Sequence, residues 1–496
     1  VSIIIGGMAP ISHLVFLALL GLCAVGVWAR PTRAKGWRGW GLPVCFAVAF
    51  VALLAHQAVW QLSGAGSIGL QKFQRRYDTR PSAVARASAE RGRLLDRHGA
   101  VLAEAVPGKR WGHRAALGPA GLHVVGYSSR EFGLSGAERV YDARLCGFTV
   151  PRGPEDLLRR GAAEDVRLTL DAGLQRVAYE GLAGRKGAVV ALDPRSGEIL
   201  ALVSSPSAEE GDLAAAMRDG RNAPLFNRAT QGLYPPGSVF KVFVAALAVQ
   251  QGLARPYACP AEGWSAASNT PRIRDTHRHG PGEDRLDLGT AFAESSNIWF
   301  AKAARACGWA AFLTAARKAG LGAGFTLAAC GERAMETAAG RVPDLSQRPN
   351  QLAYVGFGQG ELLLTPLHVA ALTAAVANGG VLAPPHVGPG VEAAPRRVWG
   401  ADVAELARLL MRESVARGTS RGVALPGLTI GGKTGTAETS GRDHAWFTCF
   451  APAERPEIVV TVLVEHGGFG AQAALPIARE VLRAWQEGRR RRPGEQ

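Results

Sequence analysis

At 496 residues the chain exceeds one ordinary core and points to two or three units. Its 47% hydrophobic and 20% charged residues exclude wholesale disorder and a polytopic membrane protein, and require a packed soluble domain over most of the length. The net charge of +16 comes mostly from arginines scattered among alanine and glycine, which reads as a compositional bias rather than a functional patch and would also suit an anionic membrane or cell-wall surface; no nucleic acid is expected as a partner.

Two apolar stretches come first, 9–29 and 42–60, each long enough to cross a hydrocarbon core as a helix. Trp28, Trp37, Trp40 and Trp60 sit at their ends, and Arg30, Arg33, Lys35 and Arg38 lie between them. The positive-inside rule puts that basic loop in the cytoplasm and the rest of the chain outside. Residues 1–62 therefore read as a membrane anchor, with two transmembrane helices or, alternatively, one. No basic residue precedes the first stretch, which argues against a cleaved signal peptide.

Residues 63–165 are rich in Gly, Arg and Ala, with short strand-like pieces, and read as an extended spacer. Within it, Arg91 to Ala103 gives a strand, a tight turn at His98-Gly99 and a returning strand. Val166 to Leu170 alternates as a strand, and Asp171 can cap a helix through Leu174, Val177, Ala178 and Leu182. Gly187 to Pro194 and Ile199 to Ser204, joined by the Arg195-Ser196-Gly197-Glu198 turn, predict a hairpin. Helices are expected to dominate 239–320 and 366–378, with strands returning after Leu428. This order fits an α+β fold, an antiparallel sheet flanked by helices, over 166–488; 489–496 is a basic tail.

The seven cysteines form no CxxC pair and show no Cys/His spacing suited to zinc, so no metal is expected, and no nucleotide or cofactor motif stands out. Cys23 and Cys45 lie in the apolar stretches. The other five are odd in number and leave at least one free thiol if the rest pair internally; the spacing does not say which pair.

Three constellations carry chemistry. In Tyr234-Pro235-Pro236-Gly237-Ser238-Val239-Phe240-Lys241, Ser238 and Lys241 are three apart at the start of a helix that is apolar on nearly every face. A helix N-terminus stabilises an oxyanion at Ser238, and desolvation pushes Lys241 toward the neutral amine that a general base needs. Taken singly, the pair also fits a capping serine. Glu294-Ser295-Ser296-Asn297, at the end of a helical stretch, also reads as a polar turn, and Gly431-Gly432-Lys433-Thr434-Gly435-Thr436-Ala437-Glu438 as a glycine-rich strand edge.

The order Ser-x-x-Lys, Ser-x-Asn, Lys-Thr-Gly resembles the penicillin-recognising serine acyltransferases. The likeness extends to Arg91–Ala103, Gly133–Glu138 before Tyr141-Asp142, Asn227-Arg228-Ala229, Gly358-Gln359-Gly360 before Thr365-Pro366, and His444-Ala445-Trp446-Phe447 before Ala451-Pro452. Over roughly 91–480 the chain is similar to class B penicillin-binding proteins. That resemblance implies a penicillin-binding/β-lactamase-like transpeptidase domain on a small pedestal, with cell-wall stem peptides ending in D-Ala-D-Ala as substrate and β-lactams as inhibitors.

It further implies Ser238 as nucleophile, Lys241 as its base, Ser295 as proton relay, Asn297 as a substrate and Lys241 contact, and Lys433 as the cation that tunes Ser295. Thr434, Gly435 and Thr436 match the substrate-binding strand, and the N–H groups of Ser238 and Thr436 an oxyanion hole. A polytopic glycosyltransferase of the shape, elongation, division and sporulation family is the partner implied. The short spacer, the second proline before the nucleophile turn and the two spans depart from the family pattern, leaving elongation, division and sporulation all open. Against a bifunctional enzyme, 61–165 is too short for a glycosyltransferase domain. The spacer argues against a β-lactamase or penicillin sensor, and the intact motifs against a non-catalytic scaffold.

Overall fold

The computed structural model describes residues 91–106, 113–129, 131–147, 162–268, 270–276 and 284–491. The expected spans 9–29 and 42–60 lie outside them. Among the described residues no helix is long and apolar enough to cross a membrane.

The hairpin expected at His98-Gly99 is present: strand β1 (Leu94–Leu95) pairs antiparallel with β2 (Val101–Ala105). Its turn is made by the Asp96 carboxylate, which accepts the N–H groups of His98 and Ala100 at 2.8 Å each, and by Gly99 with φ +86°. A third strand, β3 (His113–Ala115), pairs with β2, while β4 (Val166–Arg167) runs parallel to β1. The strand expected over 166–170 keeps only these two residues in the sheet. Beyond them the backbone turns to other partners: Thr169 N–H donates to Val387 O and Asp171 N–H to Leu200 O, both at 2.9 Å. Arg91 pairs with the buried carboxylates of Glu138 and Asp142, joining two of the family-like segments. Leu94, Leu102, Val124, Val140 and Tyr141 pack into the same apolar cluster as Val190 and Leu192 of the main sheet.

That sheet has five strands. The expected hairpin supplies β5 (Gly187–Leu192) and β6 (Ile199–Ser205), and the C-terminal part supplies β7 (Gly431–Ala437), β8 (His444–Ala451) and β9 (Ile458–Val464). The order is β7-β8-β9-β5-β6, antiparallel throughout. Successive side chains alternate between faces, and both faces are covered. Val189 and Ala191 meet helices α1 (Ala172–Leu182) and α6 (Leu475–Arg491) through Leu174, Ala178, Leu182, Ile477, Val481 and Leu482. Ala188, Val190 and Leu192 face the opposite layer, which holds α2 (Lys241–Gln250), α3 (Asn297–Ala319, broken at Gly308), α4 (Pro366–Ala377) and α5 (Ala401–Ala416).

Caps follow the sequence: Asp171 accepts the N–H groups of Gly173 and Leu174, and Thr365 accepts that of His368 ahead of Pro366. Helix does not fill 239–320, because Pro256, Pro260, Gly263 and Pro271 break the chain between α2 and the short helix Leu288–Ala293. The five described cysteines, Cys146, Cys259, Cys307, Cys330 and Cys449, are free thiols.

The two sheet edges differ. On β6 the buried Gln175 side chain stands in for a missing strand: its Oε1 accepts Leu202 N–H at 2.8 Å and its Nε2 donates to Leu202 O at 2.9 Å and Ala120 O at 2.7 Å. On β7 no described strand pairs with the outer side. Replacing Gln175 with Leu removes three hydrogen bonds and leaves buried backbone groups unpaired, so denaturant unfolding of Gln175→Leu is expected to show a loss of about 2 to 4 kcal/mol; an unchanged midpoint would contradict this reading of the edge.

Candidate active site

The turn that carries Ser238 is set by glycine and proline. Tyr234 exchanges backbone hydrogen bonds with Leu364, N–H to O at 3.0 Å and the reverse at 2.9 Å. Gly237 then takes φ +57° and donates its N–H to Gly358 O at 2.9 Å. A Cβ on Gly237 would lie 2.6 Å from Thr436 O, and one on Gly358 2.0 Å from Gly237 O, so only glycine permits these two backbones to meet. Residues 237–240 form a 3₁₀ turn that runs into α2. Ser238 lies in this turn, part-exposed, with no side-chain hydrogen bond among the described residues; Lys241, three positions on, is fully buried.

Four of the predicted residues meet in direct contact. Lys241 Nζ lies 2.7 Å from Ser295 O, 2.7 Å from Asn297 Oδ1 and 3.1 Å from Ser295 Oγ. Lys433 Nζ lies 2.9 Å from the same Ser295 Oγ and 3.2 Å from Thr434 O. One hydroxyl therefore bridges two buried amines. The amines rest 5.7 Å from the ring centres of Phe300 and Phe292 respectively.

Burial disfavours the charged form of both. It holds Lys241 well below the usual lysine range, with the Lys433 charge pushing the same way and Asp275 opposing, and it lowers Lys433 to about 7. A neutral Lys241 has two N–H bonds for the carbonyl oxygens of Ser295 and Asn297, and a lone pair for the Ser295 hydroxyl. Ser295 then donates toward Lys241 and accepts from Lys433, so protons can pass along the row.

The Ser-x-Asn segment lies between two helices rather than only at the end of one: Leu288–Ala293 stops before it and Asn297 opens α3. Ser295 takes φ +62°, a left-handed conformation uncommon for a residue with a side chain. Asp275 holds this bend. One carboxylate oxygen accepts the N–H groups of Asn297 at 2.6 Å and Ile298 at 2.9 Å, and the other accepts the Ser296 hydroxyl at 2.7 Å. Sequence reasoning missed Asp275, which lies in an irregular segment with no local signature. It also missed Thr419, whose hydroxyl is 2.7 Å from that of Thr434.

Thr434 and Gly435 are buried and Thr436 is part-exposed, all on the open-edged strand β7. Gly435 packs on Val239, so the strand and the Ser238 turn touch.

The penicillin binding protein transpeptidase domain model matches residues 187–483, more than half of the chain. The chain belongs to the class B penicillin-binding proteins. Among similar proteins, peptidoglycan D,D-transpeptidase PbpA of Mycobacterium tuberculosis is 33% identical over 402 residues, 72% of this chain and 78% of that protein. Peptidoglycan D,D-transpeptidase MrdA of Haemophilus influenzae is 31% identical over 417 residues, 71% of this chain but 63% of that protein. The match to the Acinetobacter baumannii MrdA likewise spans 55% of its length. The ceftriaxone acyl-enzyme complex of penicillin-binding protein A from Mycobacterium tuberculosis superposes with a TM-score of 0.72 at 28% identity, covering 81% of this chain and 99% of that one.

Two outcomes are expected of this penicillin-binding protein. Lys433 binds its proton more weakly folded than unfolded, so the unfolded chain holds more protons between about pH 7 and 10.5 and stability rises with pH across that window. Chemical denaturation at pH 7, 8 and 9 should show the rise, and Lys433→Met should flatten it in part, since Lys241 contributes in the same direction. Asp275→Ala frees the Ser295 bend and should cut β-lactam acylation by at least about tenfold; acylation at the wild-type rate would show that the bend holds itself.

Proposed function

We propose that the protein is a peptidoglycan D,D-transpeptidase that cross-links stem peptides through a Ser238 acyl-enzyme and is blocked by β-lactams. The observation that carries this reading is the Ser295 hydroxyl held between Lys241 and Lys433 beside the nucleophile turn. Ser238 Oγ attacks the carbonyl of the penultimate D-alanine while its proton passes to Lys241. The proton returns through Ser295 to the leaving nitrogen as the peptide bond breaks and the terminal D-alanine departs. An amine of a neighbouring strand then attacks the ester, its proton passes through Lys241 to Ser238 Oγ, and the cross-linking amide forms as the ester bond breaks.

Asn297 steadies Lys241 and contacts the substrate amide. Lys433 tunes Ser295 and attracts the terminal carboxylate, to which Thr434 and Thr436 offer hydroxyls. The substrate lies along the open edge of β7 at Gly435 and Thr436 as an added strand. The N–H groups of Ser238 and Thr436 receive the oxyanion, where losing one donor typically costs about 2.7 to 4 kcal/mol.

In the same reading 1–62 anchors the chain in the cytoplasmic membrane, 63–165 is the pedestal and 166–488 is the transpeptidase domain, working on the outer side. A polytopic glycosyltransferase supplies the glycan. The basis is the sequence: the apolar stretches, the tryptophans at their ends and the basic loop between them.

Fluorescent penicillin tests the chemistry. The wild-type chain should label and Ser238→Ala should not, and Ser295→Ala should acylate about 10²- to 10⁴-fold more slowly, the range for a general acid–base group. A folded wild type that stays unlabelled would make the protein a scaffold, and rapid loss of the label a β-lactamase.

A further inference from the structure

Ser238 sits on a turn that is held at its two ends through the backbone, by Leu364 at Tyr234 and by Gly358 at Gly237. Pro235 and Pro236 have no N–H to donate, so between Tyr234 and Gly237 the backbone can be tied only through carbonyls and through its flanking side chains. Pro235 O is tied by Trp446 Nε1 at 3.0 Å. The Tyr234 side chain adds a further tie. Its hydroxyl donates to Glu465 Oε1 at 2.7 Å, and the same oxygen accepts Arg228 Nε at 2.9 Å.

Each partner is itself fixed. Arg228, 4% exposed, donates its other guanidinium nitrogens to Ala223 O at 3.2 Å and Asn222 O at 2.8 Å, and its N–H to Ser204 Oγ at 2.9 Å. Glu465 follows directly on β9 and donates its N–H to Lys186 O at 2.8 Å. The phenol ring lies edge-on to His444 and Trp446, with centroids 5.5 and 6.3 Å away. It closes over Gly232, where a Cβ would fall 2.4 Å from the ring. Burial, with the Glu465 charge behind it, pushes the phenol's pKa upward and keeps it a donor.

A neutral donor on a carboxylate is among the stronger hydrogen bonds. This one joins the end of a core strand to the residue before the proline pair. We propose that Glu465, paired with Arg228 and bonded to Tyr234, is a positioning residue for Ser238. It holds the Tyr234–Gly237 turn so that the nucleophile hydroxyl meets the acyl carbon in line with the Lys241 and Ser295 row. None of the three touches the reacting atoms. The inference rests on the reading of Ser238 as nucleophile, and it accounts for two family-like segments, Asn227-Arg228-Ala229 and His444–Phe447, that the chemistry itself leaves unused.

The test uses the full chain and a chromogenic cephalosporin in stopped flow, which separates the acylation rate constant from the binding constant. Active fractions are counted by end-point titration with fluorescent penicillin. Tyr234→Phe keeps the ring and loses only the hydroxyl. It and Glu465→Ala should each lower the acylation rate constant about tenfold, a geometric loss smaller than that of a full 1 Å misplacement, with binding unchanged. Glu465→Gln, whose amide oxygen still accepts the phenol, should recover most of the rate lost in Glu465→Ala. The double variant should be no slower than the slower single one, since both act through the same bond.

A purely structural role would lower the active fraction and leave the rate of active molecules unchanged, and that result overturns the proposal, as does a loss confined to binding. If Glu465→Ala does not fold, Tyr234→Phe decides alone. Failure of the wild type to acylate would sink the reading of Ser238 instead.

Discussion

The placing of two lysine amines in one dry space around a single serine hydroxyl governs the rest of the molecule. Two ammonium groups so close would repel, and burial makes each still less favourable as a cation, so the arrangement survives only by keeping at least one of them neutral. Every layer near the site serves this end. Phe292 and Phe300 shut out water, α2 is buried along almost its whole length, and the carbonyl oxygens of Ser295 and Asn297 absorb the N–H bonds that a neutral amine still has to satisfy.

The strain at Ser295 follows from the same requirement. Lys241 contacts both the carbonyl and the hydroxyl of Ser295 from one side. The chain adopts φ +62° there, and Asp275, which binds three donors of the next helical turn, holds it. The two glycines at 237 and 358 perform the matching task across the cleft, where backbone meets backbone without side chains between. Close approaches of main chain thus frame the row of side chains formed by Lys241, Ser295, Asn297 and Lys433.

Much of this was legible in the sequence because it is local. The hairpin at His98-Gly99, the cap at Asp171, the strands read at 187–194 and 199–204 and the glycine-flanked strand of Lys433 each announce themselves within a few residues, and Ser238, Lys241, Ser295, Asn297 and Lys433 are read from short motifs. What stayed hidden depends on distance along the chain. Asp275 caps a helix more than twenty residues away, Thr419 meets Thr434 from the far side of a turn, and Glu465 reaches back to Tyr234 across most of the domain. Composition along a single segment has no term for such contacts. The strand expected over 166–170 was shortened for the same reason: Thr169 and Asp171 find their hydrogen-bond partners at Val387 and Leu200, elsewhere in the fold.

The unequal edges of the main sheet have a consequence of their own. An amide side chain occupies the rim at Leu202 and meets the backbone groups another strand would need there, while no described strand covers the outer side of β7. Among the described strands, the sheet is open on the side of β7 that lies next to the Ser238 turn. Self-association by strand pairing and occupancy by a peptide therefore compete for the same row of hydrogen bonds, and a filled cleft is also a protected one.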